Sequence, residues 1–149
     1  MDTLTPEQRH KNMQHIRSKD TMPEVWLRKK LFERGYRFRK NVSNVPGSPD
    51  IWLAKYNTAI FVHGCFWHRH EGCKFAYMPK SRVDFWNDKF QKNIVRDKTI
   101  RSELTNIGVK MLIVWECTVK LMQRDEKTEA DVLEKIEEFL QSKEYYLEV

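Results

Sequence analysis

The segment His63-Gly-Cys-Phe-Trp-His-Arg-His-Glu-Gly-Cys73 sets three histidines and two cysteines around a tandem aromatic pair, Phe66 and Trp67. Thiolates and imidazoles are the ligands that suit zinc, and a Cys-x4-His-x2-Cys spacing lets one loop wrap an ion. The remaining cysteine, Cys117, follows the apolar run Val109 to Trp115, so a strand can carry it to the same place. Cys65, His70, Cys73 and Cys117 compose a Cys3His set, one of the usual closed structural zinc sites. His63 and His68 compete with His70 for the fourth position, and His70 is preferred. Histidines left outside the zinc titrate near neutral pH and suit proton transfer. Three cysteines cannot all pair, and their histidine-rich setting favours thiolates on a metal in a reducing compartment.

Three carboxylates stand where carboxylates are costly. Asp50 follows the turn Val45-Pro-Gly-Ser-Pro, whose prolines fix φ, and opens a strand. A carboxylate on a rigid strand edge is how a site holds a hard cation such as Mg2+. Asp97 falls in the middle of a helical stripe formed by Val83, Trp86, Phe90, Ile94 and Leu104. Either it forms an internal ion pair with Arg101, one turn on, or it orients a histidine or binds a hydrated cation. Glu24 lies on the stripe of Leu27 and Leu31, near a helix start where the macrodipole also favours an acid. Packing explains Trp86, on the stripe, as well as a surface role does. Phe66 and Trp67, in a metal-tethered loop, are poorly explained as core.

The elements that must position these groups follow from periodicity. Thr5 caps a helix with Pro6 in its first turn, running to about Arg17. A second helix runs from Thr21 to Gly35, a C′ glycine. Tyr36 to Lys40 is a short strand, Ile51 to Tyr56 another, and the run ending in Ala59-Ile-Phe-Val-His a third. Ser81-Arg-Val-Asp has the form of a capping box opening a long helix to Asn106, closed by Gly108. Val109 to Trp115 has the pattern of a strand buried on both faces. A last amphipathic helix covers about Lys127 to Gln141. The order predicts an α/β sandwich. It forms one domain over 1–149, with an N-terminal helix (1–20), a core (21–123) and a C-terminal helix (124–149). The chain is 32% charged and 40% hydrophobic, which excludes a disordered chain, and its net charge of +6 favours a polyanionic partner. No secretory signal opens it, and no apolar run approaches the roughly 20 residues of a membrane span.

Beyond these residues, a set of motifs occurs in order: Asn12-Met13, Thr21-x-x-Glu24, Pro46-Gly47-x-Pro49-Asp50, Phe61-x-His63-Gly-Cys-Phe-Trp-His-x-His70, Phe85-Trp86, Lys92-Asn93-x-x-Arg96-Asp97 and Val114-Trp115-Glu116-Cys117. Together they closely resemble the bacterial very-short-patch-repair (Vsr) mismatch endonucleases over roughly residues 10 to 120. The resemblance implies that the 1–20 helix contacts DNA and that 21–123 is a catalytic, restriction-endonuclease-like core of the PD-(D/E)xK superfamily. It implies a Mg2+-dependent nick 5′ to the thymine of a T:G mismatch in duplex DNA, where 5-methylcytosine has deaminated. By the same resemblance, Asp50 and the main-chain carbonyl of Val62 hold Mg2+, with two ions expected. His68 is the general base helped by Asp97, His63 contacts the scissile phosphate or leaving group, and Glu24 binds a metal-bound water. Phe66, Trp67 and Trp86 wedge into the stack beside the mismatch, Met13 enters from the minor groove, and Lys89 and Asn93 contact DNA. One structural zinc sits in the cysteine cluster. The implied setting is the bacterial cytoplasm, as a monomer serving a cytosine-5 methyltransferase.

The sequence departs from the wider superfamily where an acid-x-Lys is usual, because Phe61-Val62-His63 stands there instead. Val62 replaces a threonine found in some members, and His70-Glu-Gly-Cys73 is one residue longer than in some. Two other readings of the residues are a non-catalytic zinc-containing DNA-binding module and a His-metal-finger nuclease. The second is disfavoured because the candidate Mg2+ carboxylate lies on a strand before the histidines.

Overall fold

The computed structural model describes residues 20–149; the helix predicted over 5–17, and Met13 with it, lies outside them. Helix α1 (Met22–Glu33) starts after Thr21 with proline in its first turn. It ends in a Schellman turn, in which Gly35 N–H donates to Phe32 O at 3.0 Å and Tyr36 N–H to Leu31 O at 3.0 Å. Gly35 takes the positive φ of 95° that such a turn requires. Strands β1 (Ile51–Leu53) and β2 (Thr58–His63) follow, then α2 (Val83–Asn106), β3 (Lys110–Trp115), α3 (Glu116–Arg124), α4 (Glu126–Gln141) and β4 (Tyr146–Glu148). The strands form one sheet in the order β1-β2-β3-β4. β1 runs antiparallel to β2, whereas β2, β3 and β4 are mutually parallel.

Alternation along β2 and β3 divides the core. Ile60, Leu112 and Val114 point to the face covered by α1, α3 and α4, through Leu27, Leu31, Val119, Met122, Leu133 and Ile136. Ala59, Phe61, Met111, Ile113 and Trp115 point to the other face, where Leu104 and Ile100 of α2 lie with Cys65. β3 is buried along its whole length, as its unbroken apolar run requires. The result is a mixed α/β fold with helices on both faces of a four-stranded sheet.

Several local expectations change. The 36–40 segment contributes only an isolated bridge from Arg39 to Trp52. β1 stops at Leu53, and Ala54–Tyr56 winds into a 3-10 turn that reverses through Asn57 at φ 51°. The capping box at Ser81 does not form, because Arg82 caps α2 in the left-handed region with no side-chain cap bond. The stripe on α2 is not uniformly core: Phe90 and Leu104 are buried, Trp86 and Ile94 are half-buried, and Val83 is 40% exposed. Helix α3 and strand β4 extend the predicted order. α3 leaves β3 directly, without a side-chain cap, and β4 is three residues long, so neither carries a start signal or a periodicity long enough to be seen.

Lys110 ties the sheet to α4. It is 8% exposed, and its Nζ donates to the main-chain carbonyls of Phe139, Leu140 and Ser142 at the end of that helix. Lys110→Met keeps the aliphatic stem but strands the carbonyls of Leu140 and Ser142, while Phe139 O keeps its two bonds from Ser142. Urea denaturation is expected to show a loss of about 1–3 kcal/mol. An unchanged midpoint at unchanged slope would mean that water serves the carbonyls equally well.

Candidate active site

The antiparallel pairing of β1 with β2 places Asp50, just ahead of β1, beside the far end of β2. Val62 N–H donates to Asp50 Oδ2 at 2.7 Å. The turn before it depends on Gly47, whose φ is 81°; a Cβ there would meet Ile100 at 2.7 Å and Phe61 at 2.9 Å. Burial pushes the Asp50 carboxyl up to about 7, against the Val62 N–H, with the charge of Glu24 adding to the rise. Glu24 is 3% exposed, and its charge is met by Arg28, one turn on, at 3.1 Å. Arg28 also donates to Asp50 O at 3.2 Å and pairs with Asp20 at 2.7 Å, so it locks α1 to the strand that bears Asp50.

Two histidines face this carboxylate. His63 ends β2, and His68 lies in the loop beyond it with its ring stacked on His63 at 3.7 Å and 5°. His68 Nδ1 lies 2.8 Å from Asp97 Oδ2 on α2. Arg101 does not pair with Asp97; its guanidinium lies 3.5 Å from the centre of the Tyr146 ring. So the Asp97 carboxylate orients a histidine rather than closing an intrahelical ion pair. His63 is 6% exposed, and its buried Nδ1 has no hydrogen-bond partner among the described residues. Burial, and then the charge of His68, hold His63 down at about 3. Asp50, His63, His68, Asp97 and Glu24 line one cleft of about 480 Å3, with Val62, Asn93 and Arg96 also on its wall.

The neighbouring histidine goes elsewhere. Arg69 takes a φ of 53°, and the histidines on either side of it diverge. His70 joins Cys65, Cys73 and Cys117, with their donor atoms all within 4.8 Å of one another, whereas His68 stands with His63 and Asp97. Cys117 Sγ lies 3.5 Å from His70 Nδ1, and the His70 ring stacks on Trp115 at 4.1 Å. Burial pushes the Cys65 thiol up to about 12. Desolvation opposes ionisation at Cys73 too, but the N–H groups of Phe75 and Ala76 and the neighbouring thiols outweigh it and lower that thiol. Soft donors crowded this closely need a cation among them to ionise together, so the cluster fits a metal ion.

Above the cleft, Phe66 packs edge-on against Trp67 at 5.1 Å, Trp86 at 5.5 Å and Phe90 at 5.2 Å. Phe66, Trp67 and Trp86 are half-buried, so Trp86 is both packed and accessible. Asn93 Nδ2 donates to Trp67 O at 3.0 Å, and Lys89 Nζ lies 5.3 Å from the Trp67 ring centre. An acid–histidine pair and a buried carboxylate thus share one cleft, and His68 and Asn93 also line an adjoining depression that Trp67 and Lys89 border.

The sequence profile described as DNA mismatch endonuclease Vsr matches residues 1–74. Over 132 residues the chain is 39% identical to the DNA mismatch endonuclease Vsr of Escherichia coli K12, which spans 89% of this chain and 83% of that one. It is 48% identical over 119 residues to the type II nicking enzyme V.NmeAIP of Neisseria meningitidis, spanning 80% of this chain and 84% of that one. With the type II nicking enzyme V.XorIIP of Xanthomonas oryzae pv. oryzae the identity is 44% over 116 residues, 78% of this chain and 85% of that one. The chain belongs to the Vsr family of DNA mismatch endonucleases. It is an endonuclease. Among the described residues, no helix of this Vsr-family chain is long and apolar enough to cross a membrane.

Two arginines of this Vsr-family site escaped sequence reasoning. Arg28 had a visible signal, since Glu24 and Arg28 are spaced i,i+4 on the stripe of Leu27 and Leu31. Arg69 had none. It braces the loop by donating to the carbonyls of Phe66 (3.3 Å), Tyr77 (3.0 Å) and Ala76 (2.8 Å), while its guanidinium covers Phe90 at 3.9 Å. For the cysteine cluster, Cys117→Ala is expected to drop bound metal below one equivalent per chain and to lower the melting temperature. A variant that keeps a full equivalent by elemental analysis, and melts normally, would remove Cys117 from the ligand set.

Proposed function

We propose that this chain is a Mg2+-dependent endonuclease that nicks one strand of duplex DNA 5′ of the thymine in a T:G mismatch, in very short patch repair of deaminated 5-methylcytosine. The observation that carries this reading is the His68–Asp97 pair opening onto the same cleft as Asp50, next to a depression bordered by Trp67 of the Phe66–Trp67–Trp86 cluster. The relatives named as nicking enzymes support cleavage of a single strand. The strand–strand–helix–strand order around Asp50 suits a restriction-endonuclease-like core.

The family resemblance supplies a role for each residue, and its setting supports it. Asp50 and the Val62 main-chain carbonyl would hold Mg2+, with two ions expected, and Glu24 would bind a metal-bound water. Asp50 Oδ2 already accepts the Val62 N–H, and among the described residues Oδ1 has no hydrogen-bond partner. Bound there, divalent ions neutralise the phosphoryl oxygens and help to generate the nucleophile. With Nδ1–H donated to Asp97, His68 presents Nε2 as the lone pair that takes a proton from water. His63, uncharged at neutral pH, would hydrogen-bond the scissile phosphate or leaving group. Phe66, Trp67 and Trp86 would enter the base stack, with Met13 from the opposite groove and Lys89 and Asn93 on the base edges or backbone. Unstacking costs about a few kcal/mol per step and least at a mismatch, so the wedge itself favours damaged sites.

Zn2+ is the ion proposed for Cys65, His70, Cys73 and Cys117, in a structural role, because three thiolates and an imidazole form a soft, closed set. We place the enzyme as a monomer in the bacterial cytoplasm, serving a cytosine-5 methyltransferase whose product generates T:G pairs on deamination. The deciding experiment is nicking of duplexes carrying one T:G pair in different methyltransferase contexts, with fully paired controls, in Mg2+ and in EDTA. One nick per duplex, confined to the T strand of a mismatch and abolished by EDTA, is expected. Cleavage of both strands, or equal cleavage of paired DNA, would overturn the reading.

Asp50→Ala is expected to abolish nicking while T:G binding by gel shift stays within about threefold; wild-type nicking would remove the metal role. In the wild type, a carboxyl raised to about 7 must lose its proton before it can ligate Mg2+. The Mg2+ concentration for half-maximal nicking should therefore rise about tenfold per pH unit below 7 and level off above it. A requirement that is flat from pH 5.5 to 8 would contradict this. Trp67→Ala should reduce the preference for T:G over paired DNA by about tenfold, more than it reduces overall affinity, as stacking of about 1–3 kcal/mol predicts. Equal losses on both duplexes would assign Trp67 to packing.

A further inference from the structure

His68 is held by a hydrogen bond to Asp97, but His63 has no such anchor. Its buried Nδ1 is unpartnered among the described residues, so the plane of its ring is set by what packs on it. Three rings do so: His68 stacked at 3.7 Å, Trp115 edge-on at 5.4 Å and 72°, and Phe61 tilted at 6.0 Å. Of these, Trp115 touches both halves of the site, because its ring also stacks on His70 of the thiol cluster at 4.1 Å and 5°. The parallel register sets His63 directly opposite Trp115.

Trp115 is in turn fixed from the C-terminal edge of the sheet. Its indole Nε1–H donates to Glu148 Oε1 at 2.8 Å, and its backbone N–H donates to Val149 O at 3.0 Å. The second oxygen of Glu148 accepts the Tyr146 hydroxyl at 2.7 Å, and the Tyr146 ring lies under Arg101, one turn beyond Asp97 on α2. The contacts run from Asp97 through His68, His63, Trp115, Glu148 and Tyr146 back to α2.

We propose that Glu148 on strand β4 is a positioning residue for strand cleavage: by holding the Trp115 indole N–H it fixes the surface against which His63 and His70 both pack. The inference rests on the nuclease reading given above for its kinetic arm only. No covalent step is assigned to Glu148 or Trp115, and neither lines the cleft. Removing the carboxylate frees the indole to tilt, and a displacement of the order of 1 Å at an acting group costs rate without costing affinity.

The test uses the full-length chain with Glu148→Ala, Glu148→Gln and Trp115→Phe. Glutamine keeps a carbonyl oxygen for the indole N–H and an amide to meet the Tyr146 hydroxyl; phenylalanine keeps a ring and removes the donor. Single-turnover nicking of a T:G duplex is expected to fall about tenfold to a hundredfold in Glu148→Ala and Trp115→Phe. Duplex affinity should change less than twofold, bound metal should remain at one equivalent, and Glu148→Gln should recover to within about threefold of wild type. Histidine ring carbon–proton NMR signals give an arm that needs no activity. His63 and His70 should shift in Glu148→Ala and return in Glu148→Gln, with His68 less affected. If wild type fails to nick T:G DNA, the nuclease reading fails while the NMR arm still decides the positioning role. Unmoved His63 and His70 signals in Glu148→Ala, or a rate loss that glutamine does not recover, would overturn the proposal.

Discussion

The parallel pairing of β2 with β3 is the constraint on which the site depends. It aligns His63 with Trp115, so both strands leave the sheet at the same level and side by side. From the end of β2 the chain enters the loop bearing Cys65, Phe66, Trp67, His68, His70 and Cys73; from the end of β3 it enters α3, whose first turn bears Cys117. Two crossings of the core therefore deliver both halves of the thiol cluster and one wall of the cleft. The pairing is secure because β3 is buried throughout and its residues on either face meet separate clusters. A register slip of one residue would exchange those faces and carry His63 away from the cleft.

Around that junction, polar groups are buried in partnerships rather than alone. Glu24 is met by Arg28, Lys110 by three carbonyls of α4, and Asp50 by the Val62 N–H. Each would be costly if unpaired; Lys110 and Asp50 find their partners on other elements, and Arg28, on the same helix as Glu24, also donates to Asp50 O, so satisfying the charge also fixes the packing. His63 is the exception: among the described residues its buried Nδ1 has no partner. Among the described residues the other buried side-chain polar atoms have partners, and the one left open belongs to a residue that lines the cleft.

The aromatic rim and the cleft are mechanically one object. Trp67 is held by Asn93 through its backbone carbonyl, and Asn93 sits one turn before Asp97 on α2. The helix that orients His68 therefore also holds the loop that would enter DNA. Arg69 closes the other side of that loop on Phe90 of the same helix.

By itself the sequence determined the donor chemistry and the main elements. The spacing of Cys65, His70, Cys73 and Cys117, the lone acid on the α2 stripe and the unbroken apolar run of β3 are local signals, and each has the expected counterpart in the fold. Only the tertiary structure decided which partners those groups take. Asp97 has Arg101 within reach along its own helix, yet it pairs with His68 across 29 residues of chain, because Arg101 is drawn onto Tyr146 of an edge strand too short to announce itself. His68 and His70 are alike in sequence context, and they part because Arg69 between them turns left-handed under three carbonyl bonds from its own side chain. Periodicity and residue type are properties of a segment. The partner of a buried charge is a property of distances between segments, and those are set only when the sheet closes.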